Sequence, residues 1–327
     1  MKHPTTLATL VAALAFASEA PSAELPLPKD GWASWQVEAV DDAPAMCCWS
    51  SWDDHAGQAK ACNLDGGEHQ GSGTRDHETT DAVRVYARFA NGKLERLRTL
   101  SASCPVETKT PIQKLDGIST DDSARWLTGL ASRGDLEEHV LESLAVHRGD
   151  LAFDTLKRIA NGETSGDRRN QAIFWIALAR GIPGAEFATS TMFNDKDAGV
   201  RKHAAFAITV SKSPTIAPDL IRLGNTDKDG EVRAQAWFWL AHTGVPNAEQ
   251  AITTALRKDT DDHVREEAIF ALSQLPDGRG AKALIAVAED RSLTREQRKR
   301  AVYWLGQSES ADAQLYLDKV LMGKANR

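Results

Sequence analysis

Asp195-Lys-Asp-Ala-Gly-Val-Arg201, Asp227-Lys-Asp-Gly-Glu-Val-Arg233 and Asp259-Thr-Asp-Asp-His-Val-Arg265 are three copies of one phrase, set 32 residues apart. Four residues after each Val stands an alanine (Ala204, Ala236, Ala268), and four later an aliphatic residue (Ile208, Leu240, Leu272). An apolar step of four traces one face of a helix. The phase continues backward through Arg169, Ala172 and Ile176. It continues forward, with one inserted residue, through Arg298, Ala301 and Leu305, and a weaker early copy fits Val140 and Leu144. Pro183, Pro214 and Pro246 recur near the start of the other helix of three units. Helix pairs recurring at such a period predict an α-solenoid.

These phrases resemble HEAT repeats of the phycobilin-lyase type, over about residues 134–327 and about six repeats. The resemblance implies a two-layer right-handed superhelix. In it Asp195, Asp227 and Asp259 would join Arg201, Arg233 and Arg265 as a ladder between neighbouring repeats. It does not bring a relative's chemistry with it. HEAT-like deoxyhypusine hydroxylases carry His-Glu pairs on their helices as iron ligands, whereas the one His-Glu here is His77-Glu78, outside the array. Phycobilin lyases do not share the N-terminal features described below. The Asp-x-Asp-Gly turn at 227–230 also fails as a calcium loop. Counted from Asn225, position 12 is Ala236, where a bidentate Glu is required. The aspartates therefore read as helix caps.

Helix geometry, at about 100° per residue, separates two aromatic rows. Trp175, Ala207, Trp239, Ala271 and Trp304 fall within the buried arc, large alternating with small, and are expected to be core. Phe174, Phe206, Phe238, Phe270 and Tyr303 fall opposite the Ala/Leu face, beside Asn170, Lys202, Ala234, Glu266 and Lys299. A contiguous apolar ridge marks an interface unless the fold covers it. Burial by helix bending or by the N-terminal region is the competing expectation. Trp126 and Trp237 occupy single positions. His203 and His242 are expected to be solvated or hydrogen-bonded.

The first 117 residues are unlike the array. Leu7–Phe16 is a short apolar run after Lys2, too short to span a bilayer and suited to a signal peptide spanning residues 1–23, cleaved after Ala17 or Ala23. Export predicts an oxidising compartment, bacterial-type periplasmic or secreted. There Cys47, Cys48, Cys62 and Cys104, the chain's four cysteines, are expected to form disulfides. Of the three pairings the vicinal one is strained, so one of Cys47 and Cys48 should bond Cys62 and the other Cys104. Residues 24–117 read as a small β-containing domain. Val83–Phe89 alternates, Asn91-Gly92 is a hairpin signal, and Lys93–Cys104 returns with a bulge, since Leu94 and Leu97 have opposite parity. The Gly-, Asp- and His-rich stretch between Cys48 and Val83 reads as a long pinned loop. Trp32, Trp35, Trp49 and Trp52 are either the core of this domain or an aromatic ligand surface.

The 327 residues suggest about two domains, 24–117 and 118–327. Charged residues at 26% and hydrophobics at 42% are globular values. Asp and Glu outnumber Lys and Arg 46 to 39, which argues against phosphate-backbone binding and so against a nucleic-acid partner. No G-x-S-x-G, P-loop, H-E-x-x-H or C-x-x-C occurs. The expected fold class is mainly α, a HEAT-like α-α superhelix preceded by a disulfide-stapled β-containing domain. The expected role is an exported protein–protein interaction scaffold, with no catalytic residue, cofactor or metal and no membrane insertion after signal cleavage. An enzyme or metal-binding module on residues 47–81, using the cysteines with His55, His69 and His77 or the acids Asp53, Asp54 and Glu68, is the alternative.

Overall fold

The computed structural model describes residues 25–49, 59–66, 72–162, 166–276 and 278–323. The expected signal peptide, Trp52, His55, His69, Asp53, Asp54 and Glu68 lie outside the described residues.

The N-terminal part is a sheet built on two long antiparallel strands, β1 (Gly31–Trp49) and β4 (Ser72–Ala90). β5 (Lys93–Ser101) follows β4 through the expected turn, with Asn91 and Gly92 both at positive φ, as a type I′ hairpin requires. The expected bulge is present: Phe89 pairs Leu94 and Arg88 pairs Arg96, so Glu95 is the extra residue and Leu97 turns inward. β2 (Ala59–Lys60) and β7 (Ile112–Lys114) pair β1, the latter in parallel, and β3 (Cys62–Asn63) pairs β6 (Val106–Glu107). One expectation is corrected. Residues 72–82 are strand, not loop: Met46, Cys47 and Cys48 pair Thr74, Gly73 and Ser72. The partner strand supplies the apolar groups that this polar segment lacks.

The helical part consists of six successive pairs: α1 (Thr120–Arg133) with α2 (Glu137–Val146), α3 (Asp150–Asn161) with α4 (Gly166–Ala179), α5 (Gly181–Asn194) with α6 (Ala198–Ala207), α7 (Ile216–Thr226) with α8 (Gly230–His242), α9 (Ala248–Lys258) with α10 (Asp262–Ser273), and α11 (Arg279–Glu289) with α12 (Arg295–Gly306). A further helix, α13 (Ala311–Leu321), packs on α11 and α12. The second helices stack in order from α2 to α12, and the recurring Val, Ala and Leu rows face inward fully buried.

The repeated aspartates do two jobs. Asp197, Asp229 and Asp261 are N-caps whose side chains accept backbone N–H groups of α6, α8 and α10. Asp195, Asp227 and Asp259 each accept the N–H of the aspartate two residues on, at 2.9 Å, and an arginine of the preceding repeat. Arg201 reaches Asp227 with Nε and Nη2 at 2.8 and 2.9 Å, and its Nη1 donates to the Asp195 carbonyl. Arg233 does the same with Asp259, and Arg169 pairs with Asp195. Burial raises the Asp227 carboxyl, but the bonds from Arg201 and the Asp229 N–H outweigh it and hold the group below its ordinary value. The expected ladder stops one rung early. Arg265 turns to Asp262 and the Asp259 carbonyl, and Asp290, which follows Asp259 by 31 residues and not 32, pairs with Arg257 instead; the in-phase position is Arg291.

Sheet and array share one continuous core. The odd residues of β1 (Ala33, Trp35, Val37, Ala39) pack among Leu127, Leu130, Leu141 and Leu144 of α1 and α2. On the other face Trp32, Tyr86 and Leu100 pack with Leu64 and the cysteines. Trp32 and Trp35 are therefore core on opposite faces. Cys47 bonds Cys104 and Cys48 bonds Cys62, which selects one of the two cross-pairings left open by sequence.

Candidate functional site

The ridge positions face outward from the stacked second helices. Phe174, Phe206, Phe238 and Phe270 are half-buried and Tyr303 is 54% exposed. Phe174 and Phe206 stack at 5.7 Å with 9° between planes, and Phe238 and Phe270 at 5.7 Å with 17°. The row expected to be core joins them. Ala207 and Ala271 are fully buried, but Trp175, Trp239 and Trp304 are only half-buried. Trp239 lies 4.8 Å from Phe206 and 4.9 Å from Phe238; Trp304 lies 4.7 Å from Phe270 and 5.1 Å from Tyr303. Ala207 and Ala271 stand one repeat before Trp239 and Trp304, and each of these two indoles leans back across the repeat boundary onto Phe206 or Phe270. Alternation therefore makes a bridge between repeats and not a sealed core layer. The result is one unbroken aromatic strip from Phe174 to Tyr303.

Polar atoms without partners cluster along it. Among the described residues Asn170 Oδ1, Gln171 Oε1, His203 Nε2, Trp239 Nε1 and Trp304 Nε1 are shielded from water and make no hydrogen bond. Turning such a group outward breaks no existing bond, which native structures seldom leave possible. His203 is lowered from its ordinary pKa by burial, against the raising effect of the Asn170 backbone carbonyl. His242 is exposed, and its Nδ1 lies 2.9 Å from the Phe238 carbonyl. The charges beside the strip cancel in pairs, Lys202 on Glu231, Arg300 on Glu266 and Lys299 on Glu296, and His263 Nε2 lies 2.8 Å from Glu231. Partners of strong net charge gain little here.

A second cluster has the composition of a nucleophile and base but not the access. The Trp35 indole donates to Ser123 Oγ at 2.8 Å, Ser123 Oγ is 2.9 Å from His147 Nε2, and His147 Nδ1 is 2.6 Å from the Ser143 carbonyl. Neutral His147 with its proton on Nδ1 satisfies every contact. Burial pushes it down to about 4, with Arg180 adding to the shift and the Ser143 carbonyl opposing it. Ser123 and His147 are wholly buried, so this chain of bonds clamps the sheet to α1 and α2.

The cysteines that could have completed a metal site with His55, His69 and His77 are occupied as disulfides. Among the described residues no cluster of His, Cys, Asp and Glu is arranged to hold a metal ion.

Residues 185–273 and 224–304 match the family profile of HEAT repeats. Among solved structures, human deoxyhypusine hydroxylase in complex with glycerol is similar at 13% identity, covering 63% of this chain and 94% of that one, with a TM-score of 0.32. Escherichia coli YibA is similar at 22% identity, covering 62% and 82%, with a TM-score of 0.36. Likeness at that level carries no functional argument. No curated protein matches the chain.

Proposed function

Residues 185–304 are HEAT repeats, and from that premise we propose that the protein is an exported scaffold that binds a protein partner along its aromatic strip. The observation that carries the reading is the strip itself: five successive repeats present rings in one file, four half-buried and Tyr303 exposed, bordered by mutually neutralised charges and by unpartnered polar atoms. A half-buried ring has about half of its burial still to gain on binding, roughly 1 kcal/mol each, before the cost of association. Phe174, Phe206, Phe238, Phe270 and Tyr303 are the contact residues, and Trp239 and Trp304 join them.

Export, to a periplasmic or secreted location, is supported by the apolar run Leu7–Phe16 and by two disulfides, which persist in oxidising compartments. Among the described residues no helix is long and apolar enough to cross a membrane. The acidic balance is unsuited to nucleic acid. The reading is tested by affinity capture from an envelope extract, with a Phe206→Ala/Phe238→Ala double variant as control. Partners recovered by the native protein and lost by the variant support it; equal recovery by both forms removes the strip.

A further inference from the structure

On the layer opposite the strip, successive first helices touch one another less than the second helices do. Between α5 and α7 they leave an open groove of about 440 Å³. We propose that this groove binds a short zwitterionic peptide, with the peptide carboxylate on Arg222 and its ammonium on Glu186.

The groove is charged at two places and neither charge is satisfied. The Arg222 guanidinium carbon lies 3.5 Å from the centroid of the Phe193 ring, a stacking contact that fixes the plane of the group while leaving its in-plane N–H donors free. Among the described residues Arg222 meets no carboxylate and Glu186 no cation, although both line the groove. The ladder arginines are different: Arg201 is bonded by Asp227 and by its own turn. Glu186 and Phe193 stand seven residues apart on α5, just under two turns, so they share a face about 10 Å apart along the axis. That separation keeps the two charges from neutralising each other. It also sets the ligand. An extended chain advances about 3.3–3.6 Å per residue, so the termini of a tripeptide lie about 10 Å apart.

The surroundings suit such a ligand. Ile182, 49% exposed, and Pro214 give apolar walls for small side chains, and the Thr189 hydroxyl lies along α5 between the charged ends. A carboxylate can take two parallel N–H bonds from a guanidinium already held flat. A lone anion such as phosphate is the poorer fit, because Glu186 repels it, and a lone cation is repelled by Arg222. The groove and the aromatic strip lie on opposite layers, so each stands or falls alone.

The test is calorimetric titration of the full chain, disulfides intact, with Ala-Ala-Ala, its N-acetyl and C-amide forms, Ala-Ala and inorganic phosphate. Ala-Ala-Ala should bind saturably with a Kd of about a millimolar or tighter. Each cap, and the shorter dipeptide, should weaken binding about two- to fivefold, as exposed charge pairs do. Arg222→Gln should bind free and amidated tripeptide equally, and Glu186→Gln should bind free and acetylated tripeptide equally. Both residues are exposed, so neither change threatens the fold. Absence of saturable tripeptide binding overturns the proposal. So does equal binding of capped and free forms, or Arg222-dependent binding of phosphate tighter than that of the tripeptide.

Discussion

Gly224→Ala is the sharpest test of how this array is packed, because two effects of known sign compete at one atom. Gly224 lies in the last turn of α7, where alanine is ordinarily the better residue. Helix propensity and the freedom of the unfolded chain favour Ala by about 0.4–1 kcal/mol. Against this, a Cβ at that position would stand 2.5 Å from Cε2 and Cζ2 of Trp237 and 2.9 Å from its Cδ2. Carbon contacts are comfortable at about 3.5–4.0 Å, so the indole or the helix must retreat by roughly 1 Å. Trp237 is 1% exposed and walled in, and overpacking of a dense core costs about 1–3 kcal/mol. The clash should win, leaving a net loss of about 1–2 kcal/mol. Urea unfolding followed by far-ultraviolet circular dichroism reads it as a lower midpoint. Trp237→Leu supplies the control. It removes the clashing ring and no hydrogen bond, because Trp237 Nε1 has no partner among the described residues. In that background Gly224→Ala should become neutral or stabilising. A wild-type midpoint that rises with alanine would show that Gly224 is not shaped by Trp237.

Four further outcomes follow from individual bonds in the structure. Asp227→Ala strips Arg201 of its carboxylate where both side chains are about 5% exposed or less, and should cost about 3 kcal/mol in urea unfolding; Asp227→Asn, which keeps an acceptor for the turn, should cost less. His147 is held at about 4 against an ordinary 6.5, so between those values the unfolded chain binds a proton that the folded chain refuses. Stability should be complete above about pH 6.5 and fall toward pH 4, a slope that His147→Gln removes. Below pH 4 a second loss should follow as Asp65 protonates. The Lys109 N–H, Thr108, Trp32 and Arg88 hold it at about 2 against the opposing pull of burial. Removing Cys48–Cys62 by paired serine substitution should cost about 3 kcal/mol and removing Cys47–Cys104 about 4 kcal/mol, the order set by loop length and readable as two urea midpoints.

The array was legible because a repeat states the same physical requirement several times. One Val-Arg pair proves nothing, but Val200-Arg201, Val232-Arg233 and Val264-Arg265 in one phase leave few alternatives to stacked helices. The same redundancy exposed the ridge and the ladder, both of which run through every unit they touch. Residues 72–82 were unreadable for the opposite reason. Their strand is dictated by β1, which pairs with them, and their own Gly, Ser and Thr residues show no alternation. Arg222 and Glu186 are also invisible in sequence. They do not recur, and what sets them apart is that among the described residues neither meets an opposite charge, although both line the same groove.

The Trp239 and Trp237 positions show where one-row reading stops and pairwise packing begins. The angle on one helix alone places Trp175, Trp239 and Trp304 in the core and leaves Trp237 aside. In the structure the reverse holds: Trp237 is buried and the other three are half-buried. What decides burial is the volume facing each ring. Thirteen residues before Trp237 stands Gly224, which gives its whole side-chain space to the indole. The same step pairs Met192 with Ala205 and Leu256 with Ile269, all fully buried. Large with none, medium with small and medium with medium fill comparable space, as a core at crystal density demands. Thirteen residues before Trp239 stands Thr226, which is exposed and not a glycine. Trp239 leans instead on the repeat before, against Phe206, the neighbour in sequence of the fully buried Ala207. A substitution of Ala207 by Leu should therefore push Trp239 outward and break the strip at its middle while leaving the helices intact. Lost partner capture together with unchanged helical circular dichroism would be the signature, and a folded variant that keeps full capture would show that Trp239 does not depend on Ala207.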